Sequence, residues 1–541
     1  MSLWTGPLLP LAALIWPLLL AALTSLPALR HSGARLLPFA PLPALWLAVA
    51  GGDGVTVAPD LLLGVTLALD EGGRLLLGMT AVLWTIAGLV AWRMAGRDMA
   101  FFSGFWCLTL AGNLAVYLAQ DVVTFYVAFA AVSLSAWFLI IHDGTEKALH
   151  AGRVYIAIAL LGEVFLLIGL ILGADAAGSA AIADVREALG TSGSGPVAVA
   201  FLIVGFGIKA GMVPLHVWLP LAHPAAPVPA SAVLSGAIVK AGLIGMLVFV
   251  PEGTFGPILM GLGFAGAFGA ALWGLTQANP KAVLAYSTIS QMGLMVMLVG
   301  AGGLAREMAP YYALHHGLAK GALFLLVGVM LAARDRRQRL WCLAVGVIVA
   351  ASVAGFPLTG GALAKSAVKP GLSETATLAL SLSSVTTSLI LIWFLTRLWQ
   401  LPAPGKGPAH YLSLPAAAGL LALTAPWFFW QRWTGQSPAY LLAPQTFLDA
   451  LWPLALALPL ALALLRWTLP AHPPGDLLLT LKRWPAMPFR IPDPPSFQLV
   501  RQGMVQTFQD LVVKAESGLG RWSLGGALLP ILVVVVFLLL I

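Results

Sequence analysis

Ionisable side chains lie inside long apolar runs of this sequence, where charged groups are rare. They are one glutamate, four lysines and four histidines: Glu163, Lys209, His216, His223, Lys240, His315, His316, Lys320 and Lys365. Ionisable groups in hydrocarbon normally face a protein interior or a water-filled path. Desolvation favours the neutral form of a buried lysine and a nearby carboxylate favours its charged form, so a lysine between the two can take up and release a proton. The sequence therefore predicts a proton path made of Glu163, Lys209, Lys240, His316, Lys320 and Lys365.

Each of these residues also has a structural interpretation. A lysine can snorkel to the membrane surface or pair within the protein, although a mid-span position argues against snorkelling. His316 and Lys320 are four residues apart and share a helix face. His216 and His223 lie near the end of their span, so an accessory role in the path and a capping or loop role both remain open. We interpret His315 as a packing or interface residue.

The composition is that of a polytopic membrane protein. Of the 541 residues, 60% are hydrophobic and 9% are charged, and the mean hydropathy is +0.93, whereas a soluble protein carries roughly 25% charged residues. The net charge of +8 comes from short loops between apolar runs, so nucleic-acid binding is not expected. The two cysteines, Cys107 and Cys342, have no metal-ligand spacing, and we expect neither a metal nor another cofactor. The start of the chain has no basic stretch before its first apolar run, so a cleaved signal peptide is not expected.

The apolar runs predict an all-α protein with about 14–16 transmembrane helices, since a span needs about 20 apolar residues. The candidate spans are 7–29, 36–52, 73–93, 99–119, 122–141, 152–173, 195–218, 229–250, 256–276, 281–301, 310–332, 340–366, 374–399, 410–430, 448–468 and 522–541. Basic residues concentrate in the odd-numbered loops and acids in the even-numbered ones. The positive-inside rule then predicts a bacterial inner-membrane protein whose N-terminus is periplasmic.

Two spans are interrupted by helix breakers. Pro214 lies in the seventh span, and Gly355 and Pro357 lie in the twelfth. Broken helices are tolerated at membrane depth where they line a cavity, and paired breaks are typical of transporters built from repeats. Because the breaks are five spans apart, we interpret spans four to eight and nine to thirteen as two inverted five-helix repeats.

This interpretation divides the chain into six parts. Residues 1–98 hold the N-terminal transmembrane helices, 99–250 the first inverted repeat and 251–400 the second. Residues 401–468 hold further transmembrane helices, and 522–541 form the final one. Between them, 469–521 is predicted to be a cytoplasmic loop with an amphipathic helix, for which a plain connector is the alternative.

Four stretches resemble a known family, the antiporter-like subunits shared by respiratory complex I, membrane-bound hydrogenases and Mrp-type cation/proton antiporters. They are KAGMVPLHVWLPLAHPAAPVPASAVLSGAIVKAG (Lys209–Gly242), NPKAVLAYSTISQMG (Asn279–Gly293), HHGLAKGALFLLVG (His315–Gly328) and GFPLTGGALAK (Gly355–Lys365). The resemblance covers roughly residues 60–400, with Mrp-like and hydrogenase-type members as the nearest relatives. It implies a fourteen-helix core, broken seventh and twelfth helices and no redox cofactor in this subunit. By position, Lys209, Lys240, His316, Lys320 and Lys365 match the family's proton-carrying and connecting residues.

One departure from the family concerns the partner of Lys209. The resemblance implies a glutamate in the fifth span, and the matching position here is Ala130 in AFAAVSLSAWFLI. Glu163 is the only acid at mid-span before Lys209. We therefore predict that Glu163 pairs with Lys209 in place of the missing glutamate. The alternative is that this subunit has lost normal coupling.

The functional expectation is a proton-translocating membrane subunit, coupled to cation antiport or to a redox partner and without a catalytic centre of its own. Its expected partners are other membrane subunits of a hetero-oligomeric complex, the lipid bilayer, and protons, with Na⁺ or K⁺ as candidate counter-ions. The alternative is the energy-coupling membrane subunit of an inorganic-carbon uptake complex driven by proton flow. An inert scaffold would not retain the lysines.

Overall fold

The structure, a computed structural model, describes residues 8–51, 55–61, 64–93, 99–402, 412–466 and 472. The predicted amphipathic helix within 469–521 and the final span at 522–541 lie outside the described residues. All structural statements below concern the described part of the chain.

Helices make up nearly all of the described chain. They are α1 (Leu8–Ser25), α2 (Arg30–Arg35), α3 (Leu42–Ala50), α4 (Glu71–Arg93), α5 (Met99–Leu118), α6 (Val122–Ile140), α7 (Glu146–Ala177), α8 (Ile182–Thr191), α9 (Gly195–Ala210), α10 (Trp218–Ala225), α11 (Val228–Val233), α12 (Lys240–Phe249), α13 (Gly256–Phe264), α14 (Ala271–Gly274), α15 (Pro280–Ala301), α16 (Gly303–Glu307), α17 (Ala309–Ala332), α18 (Arg336–Ala354), α19 (Gly360–Val368), α20 (Glu374–Trp399), α21 (Ser413–Thr434) and α22 (Pro444–Arg466).

Shorter elements complete this set. Two π-helical turns occur at Leu234–Ile238 and Ala265–Ala270, and 3₁₀ turns occur at Leu37–Phe39, Lys369–Gly371 and Pro438–Leu442. The strands β1 (Thr56–Ala58) and β2 (Val65–Leu67) form one antiparallel pair, with Thr56 opposite Leu67.

The all-α polytopic fold is confirmed. Within the described residues 13 helices are long and apolar enough to cross a membrane, or 14 if α8 and α9, which meet at 120°, form one span. The predicted span 36–52 is a shorter apolar helix, Leu37–Ala50. The last predicted span is not among the described residues, so the described chain accounts for the lower end of the predicted range.

The centre of the fold is formed by α15 and α17. The apolar window of α15 is entirely buried, and that of the segment Gly303–Ala332, which contains α17, is 94% buried, against 22% for α22. A helix that is apolar all round is buried by protein or faces lipid. Here α17 packs against α4, α11, α15, α18, α19 and α21, so its two histidines and one lysine are held inside protein.

Helical structure is interrupted at the two places where the sequence carries breakers. Residues 211–217, with Pro214, separate α9 from α10, and residues 355–359, with Gly355 and Pro357, separate α18 from α19. The helices before these segments end at Gly211 (φ 71°) and Gly355 (φ 98°), in the left-handed conformation that glycine adopts readily. The division into inverted repeats and the six-part domain scheme stay predictions.

The contact between α9 and α12 depends on Gly242. A Cβ added there would lie 2.5 Å from the Phe206 carbonyl oxygen and 2.6 Å from the Ala210 nitrogen. Both atoms belong to the backbone of α9, so they cannot move aside as a flexible side chain would. This close approach brings the helix that carries Lys209 against the helix that begins at Lys240.

We expect Gly242→Val to separate these helices and to destabilise the protein by about 1–3 kcal/mol or more, the usual range for overpacking a tight interface. The measurement is the thermal unfolding midpoint of the purified protein. Gly261→Ala is the matched control, because a Cβ at Gly261 meets nothing within 4 Å. An unchanged midpoint for Gly242→Val would contradict the close packing of α9 and α12.

Candidate functional site

One end of the predicted path is a contact among α6, α7 and α9. The Ser133 hydroxyl on α6 donates a hydrogen bond to Glu163 Oε1 on α7 and accepts one from Lys209 Nζ on α9. Tyr155 Oη donates to the Ser133 carbonyl at 2.9 Å and holds this part of α6 in place. The structure thus brings Glu163 and Lys209 together, with a serine hydroxyl between them.

The surroundings of this contact are apolar and partly open. Lys209 Nζ lies 5.0 Å from the centroid of the Phe129 ring, a distance at which an aromatic face attracts a cation. Glu163 Oε2 has no hydrogen-bond partner among the described residues. A small cavity of about 10 Å³, close to the space that one water molecule occupies, adjoins the pair and is lined by Phe129, Ser133, Tyr155, Ala159, Gly162, Glu163, Gly205, Ile208, Lys209 and Trp218. Glu163 is the only carboxylate in that lining, so it is the acid able to exchange a proton there.

Lys240 is positioned by the π-helical turn that precedes it. The Val239 N–H donates a hydrogen bond to the Leu234 carbonyl, five residues earlier, at 3.3 Å. In an α-helix it would donate to the Ser235 carbonyl, four residues earlier, so that carbonyl is left without its usual donor. Lys240 Nζ donates to this carbonyl at 2.7 Å and lies 2.9 Å from Nδ1 of His316 on α17. His316 Nε2 has no hydrogen-bond partner among the described residues. The turn therefore supplies a backbone acceptor where a buried ammonium needs one.

A second polar connection runs through α15. The Ser235 and Thr288 hydroxyls lie 2.7 Å apart, and Lys320 Nζ on α17 donates to the hydroxyl of the adjacent Ser287 at 2.5 Å. Consecutive residues of α15 thus contact the turn before Lys240 on one side and Lys320 on the other. The structure brings Lys240, His316 and Lys320 into one buried cluster.

Lys365, at the other end of the path, lies beside the second helix break. Its Nζ donates to the Ser384 hydroxyl on α20 at 2.6 Å and to the Ala354 carbonyl at 3.1 Å. The Ala354 carbonyl is available because α18 ends there and no further helical turn follows. The break therefore provides part of the coordination of the lysine.

His315 makes a polar contact that the sequence did not predict. Its Nε2 lies 2.9 Å from the Ser352 hydroxyl on α18, and the Gly361 N–H of α19 donates to the same hydroxyl at 3.4 Å. Adjacent residues of a helix point about 100° apart. Hence His316 faces Lys240 while His315 faces the helix pair that carries Lys365.

The two accessory candidates are not part of these hydrogen-bonded contacts, although His223 lies near enough to Lys320 for their charges to interact. His223 is fully buried, its ring is stacked on Phe324 at 4.4 Å between centroids, and neither ring nitrogen has a hydrogen-bond partner among the described residues. His216 lies in the non-helical segment 211–217, with its ring centroid 6.2 Å from that of Tyr286. Their accessory role stays a prediction.

The residues of the predicted path, from Glu163 to Lys365, form a row whose two ends are more exposed to solvent than its middle. Glu163, Lys209 and Lys365 are 4–6% exposed and adjoin cavities, whereas Lys240 and Lys320 are 0% exposed. Between the ends, the contacts are lysine, histidine, serine and backbone carbonyl. A hydroxyl both donates and accepts hydrogen bonds, and a neutral imidazole does the same, so this arrangement can hand protons along.

The serines that contact these lysines are not among the residues predicted from the sequence. They are Ser133, Ser287 and Ser384, each on a helix other than that of its lysine. Serine is common in transmembrane helices, where its hydroxyl often bonds its own backbone, so its presence in an apolar run singles out nothing. The one sequence signal for this part of α6 was the stretch AFAAVSLSAWFLI, in which Ala130, three residues before Ser133, stands where the family resemblance implies a glutamate.

Comparison with known proteins finds relatives for the region that holds this site. Residues 119–390 match the profile of the family described as NADH:quinone oxidoreductase/Mrp antiporter, TM. Hydrogenase-4 component B of Escherichia coli is 32% identical over 44% of this chain, which spans 38% of that relative. NAD(P)H-quinone oxidoreductase chain 4 1 of Picosynechococcus sp. is 30% identical over 66% of this chain and 72% of its own length.

A solved structure shares the fold. A chain of the Mrp complex from Dietzia sp. DQ12-45-1b superposes with a TM-score of 0.69 at 22% identity, over 98% of this chain and 62% of that one. The family profile matches half of the sequence, from Ala119 to Ile390. The chain therefore belongs to the NADH:quinone oxidoreductase/Mrp antiporter transmembrane family.

Proposed function

We propose that this chain is a proton-translocating membrane subunit of a multisubunit complex, which couples proton movement to cation antiport or to a redox partner. Protons would pass from Glu163 and Lys209, through Lys240, His316 and Lys320, to Lys365. His315 would assist transfer from the central cluster to Lys365, since it faces that side of α17. The relatives named above, a hydrogenase component, a quinone oxidoreductase chain and a chain of an Mrp complex, support this function over inorganic-carbon uptake.

The observation that carries the proposal is the distribution of exposure along the row. A structural lysine network has no reason to adjoin a cavity at its two ends and to be fully enclosed between them. A proton path needs that arrangement, because protons must enter and leave through water while the middle is shielded from leakage. The paired breaks at 211–217 and 355–359 lie near those two ends, as expected where irregular backbone lines a cavity.

We also propose an orientation of the chain in the membrane and a set of partners. The basic residues of the odd-numbered loops support a cytoplasmic location for these loops and a periplasmic N-terminus in a bacterial inner membrane. By the same rule the end of α19 and the start of α20 lie on the periplasmic side. The partners would be other membrane subunits, with Na⁺ or K⁺ as the candidate exchanged ion.

Lys209→Ala is expected to reduce proton translocation at least about tenfold, since general acid–base groups contribute factors of about 10²–10⁴. The measurement is the quenching of a pH-sensitive dye in inverted vesicles that contain the whole complex. Lys147→Ala is the matched control, because Lys147 is an exposed lysine at the start of α7. Equal translocation by the Lys209 variant and this control would refute the proposed path.

A further inference from the structure

A polar cavity adjoins Lys365 and extends beyond the family-matched region. Its volume is about 20 Å³, room for about one water molecule, and it is lined by Gly355, Ala362, Lys365, Ser366, Lys369, Leu380, Ser381, Ser384, Thr446, Asp449 and Ala450. Four hydroxyls, two ammonium groups and one carboxylate stand in this lining. A cavity of this size with that many hydrogen-bonding groups is suited to hold a water molecule, because a buried water needs two to four polar partners.

One wall of the cavity is α22. Thr446, Asp449 and Ala450 belong to this helix, which begins at Pro444 and so follows residues 119–390 of the family match. Among the described residues of the lining, Asp449 is the only acid. Its Oδ1 accepts a hydrogen bond from Gln445 Nε2 at 3.0 Å, one turn earlier on α22, which orients the carboxylate.

An ion pair lies between this wall and the helix of Lys365. Lys369 Nζ is 3.8 Å from Asp449 Oδ2, and Lys369 follows Lys365 by four residues. The two side chains are 23% and 46% exposed, against 6% for Lys365. The pair is therefore nearer to the surface than Lys365. An exposed ion pair at this distance is weak and opens readily.

We propose that the Lys369–Asp449 ion pair is the outer gate of a route through which water reaches Lys365, and that α22 forms one wall of this route. Water in the cavity exchanges protons with the Lys365 ammonium, and the gate sets how often the cavity joins the bulk solvent. Asp449 acts here as a positioning residue that holds Lys369 across the mouth. The role of the route in proton translocation rests on the proposed function, whereas its accessibility to water does not.

Cysteine accessibility tests the route. The two native cysteines, Cys107 and Cys342, are 1% and 0% exposed, so they give little background. Ser381→Cys places a thiol in the cavity lining, and Ser383→Cys, on the same helix but 0% exposed and absent from the lining, is the matched control. The probe is a membrane-impermeant methanethiosulfonate reagent, applied to each face of vesicles that contain the complete complex.

We expect the Ser381→Cys thiol to react from one face only, and the Ser383→Cys thiol to react from neither. Adding Asp449→Asn should raise the reaction rate about two- to fivefold, the factor that corresponds to an exposed ion pair. Glu374→Gln, which changes an exposed acid at the start of α20, should leave the rate unchanged. Exchanging the pair, as Lys369→Asp with Asp449→Lys, should restore the slow rate.

An unreactive thiol at position 381, or a rate that Asp449→Asn leaves unchanged, would overturn the proposal. Thr446→Cys places a second thiol on the opposite wall and serves if the Ser381 variant does not assemble. Modified Ser381→Cys protein should also translocate protons more slowly. Labelling that follows the expected pattern without any effect on proton flux supports the access route and counts against the proposed function.

Discussion

Replacing Lys240 with alanine is expected to abolish proton translocation while the complex remains assembled. Lys240 is fully enclosed, and its ammonium joins the Ser235 carbonyl to His316 at 2.7 and 2.9 Å. Without it, none of the described titratable groups connects α12 to α17 at this point of the path. The expected loss is at least about a hundredfold, because both the proton acceptor and the next donor are affected.

The structural effect of the same change should be small enough for assembly. Removing the ammonium leaves the Ser235 carbonyl and one imidazole nitrogen unpaired, each at about 1–3 kcal/mol. The contact of α12 with α9 is made by Gly242 and the α9 backbone and does not depend on the Lys240 side chain. Assembly is checked by size-exclusion chromatography of the purified complex, and translocation by a pH-sensitive dye in vesicles.

The variant Lys240→Arg distinguishes proton transfer by Lys240 from the electrostatic effect of its positive charge. Arginine keeps a positive charge and hydrogen-bond donors near the Ser235 carbonyl but does not release its proton in proteins. It should therefore be as inactive as Lys240→Ala if Lys240 carries protons. Near-normal translocation in Lys240→Ala would exclude Lys240 from the path, and activity in Lys240→Arg alone would assign it a purely electrostatic role.

Replacing Glu163 with glutamine should produce the second large loss. Glutamine keeps the shape of the side chain and a hydrogen-bond acceptor for Ser133, but it removes the only carboxylate that the described residues place beside Lys209. Removing one partner of a buried charge pair costs about 3–5 kcal/mol because the other charge is left uncompensated. We expect proton translocation to fall at least about tenfold, measured with the same dye.

Position 130 offers the matched test of this interpretation. Ala130 precedes Ser133 by three residues and therefore lies about one helical turn from the hydroxyl that contacts Lys209. In the Glu163→Gln background, Ala130→Glu should restore part of the lost translocation by returning a carboxylate to this region. In the wild-type background, no change would indicate that Glu163 has taken over the role, whereas an increase would indicate that Ala130 is a lost site. Full activity of Glu163→Gln alone would contradict both.

Much of the fold was accessible from the sequence, because membrane insertion is decided by local composition. A run of about 20 apolar residues must become a helix that satisfies its own backbone in lipid. The predicted spans therefore correspond closely to the helices, as for 122–141 and α6 (Val122–Ile140). The second predicted span was less accurate, because residues 36–52 hold a 3₁₀ turn and a short helix where one long span was expected.

The types of the site residues were equally visible, since a lysine or glutamate in an apolar run stands out against its neighbours. What the sequence determined by itself was this set, Glu163, Lys209, Lys240, His316, Lys320 and Lys365, and the helices that carry it. Local sequence also placed helix breakers beside Lys209 and Lys365.

Only the tertiary structure decided which groups these residues meet. Ser133 and Lys209 are 76 residues apart, and nothing in either helix specifies the rotation at which α6 faces α9. The same holds for Lys369 and Asp449 across α19 and α22, and for the direction in which His315 points. Helix rotation and tilt are set by packing against all neighbours at once, through close approaches such as that of Gly242 in α12 to the backbone of α9. A hydrophobic pattern is a local property of the sequence, so the ionisable residues inside the apolar helices could be predicted from it. Which residues contact each other depends on how the helices pack, so these contacts were known only from the tertiary structure.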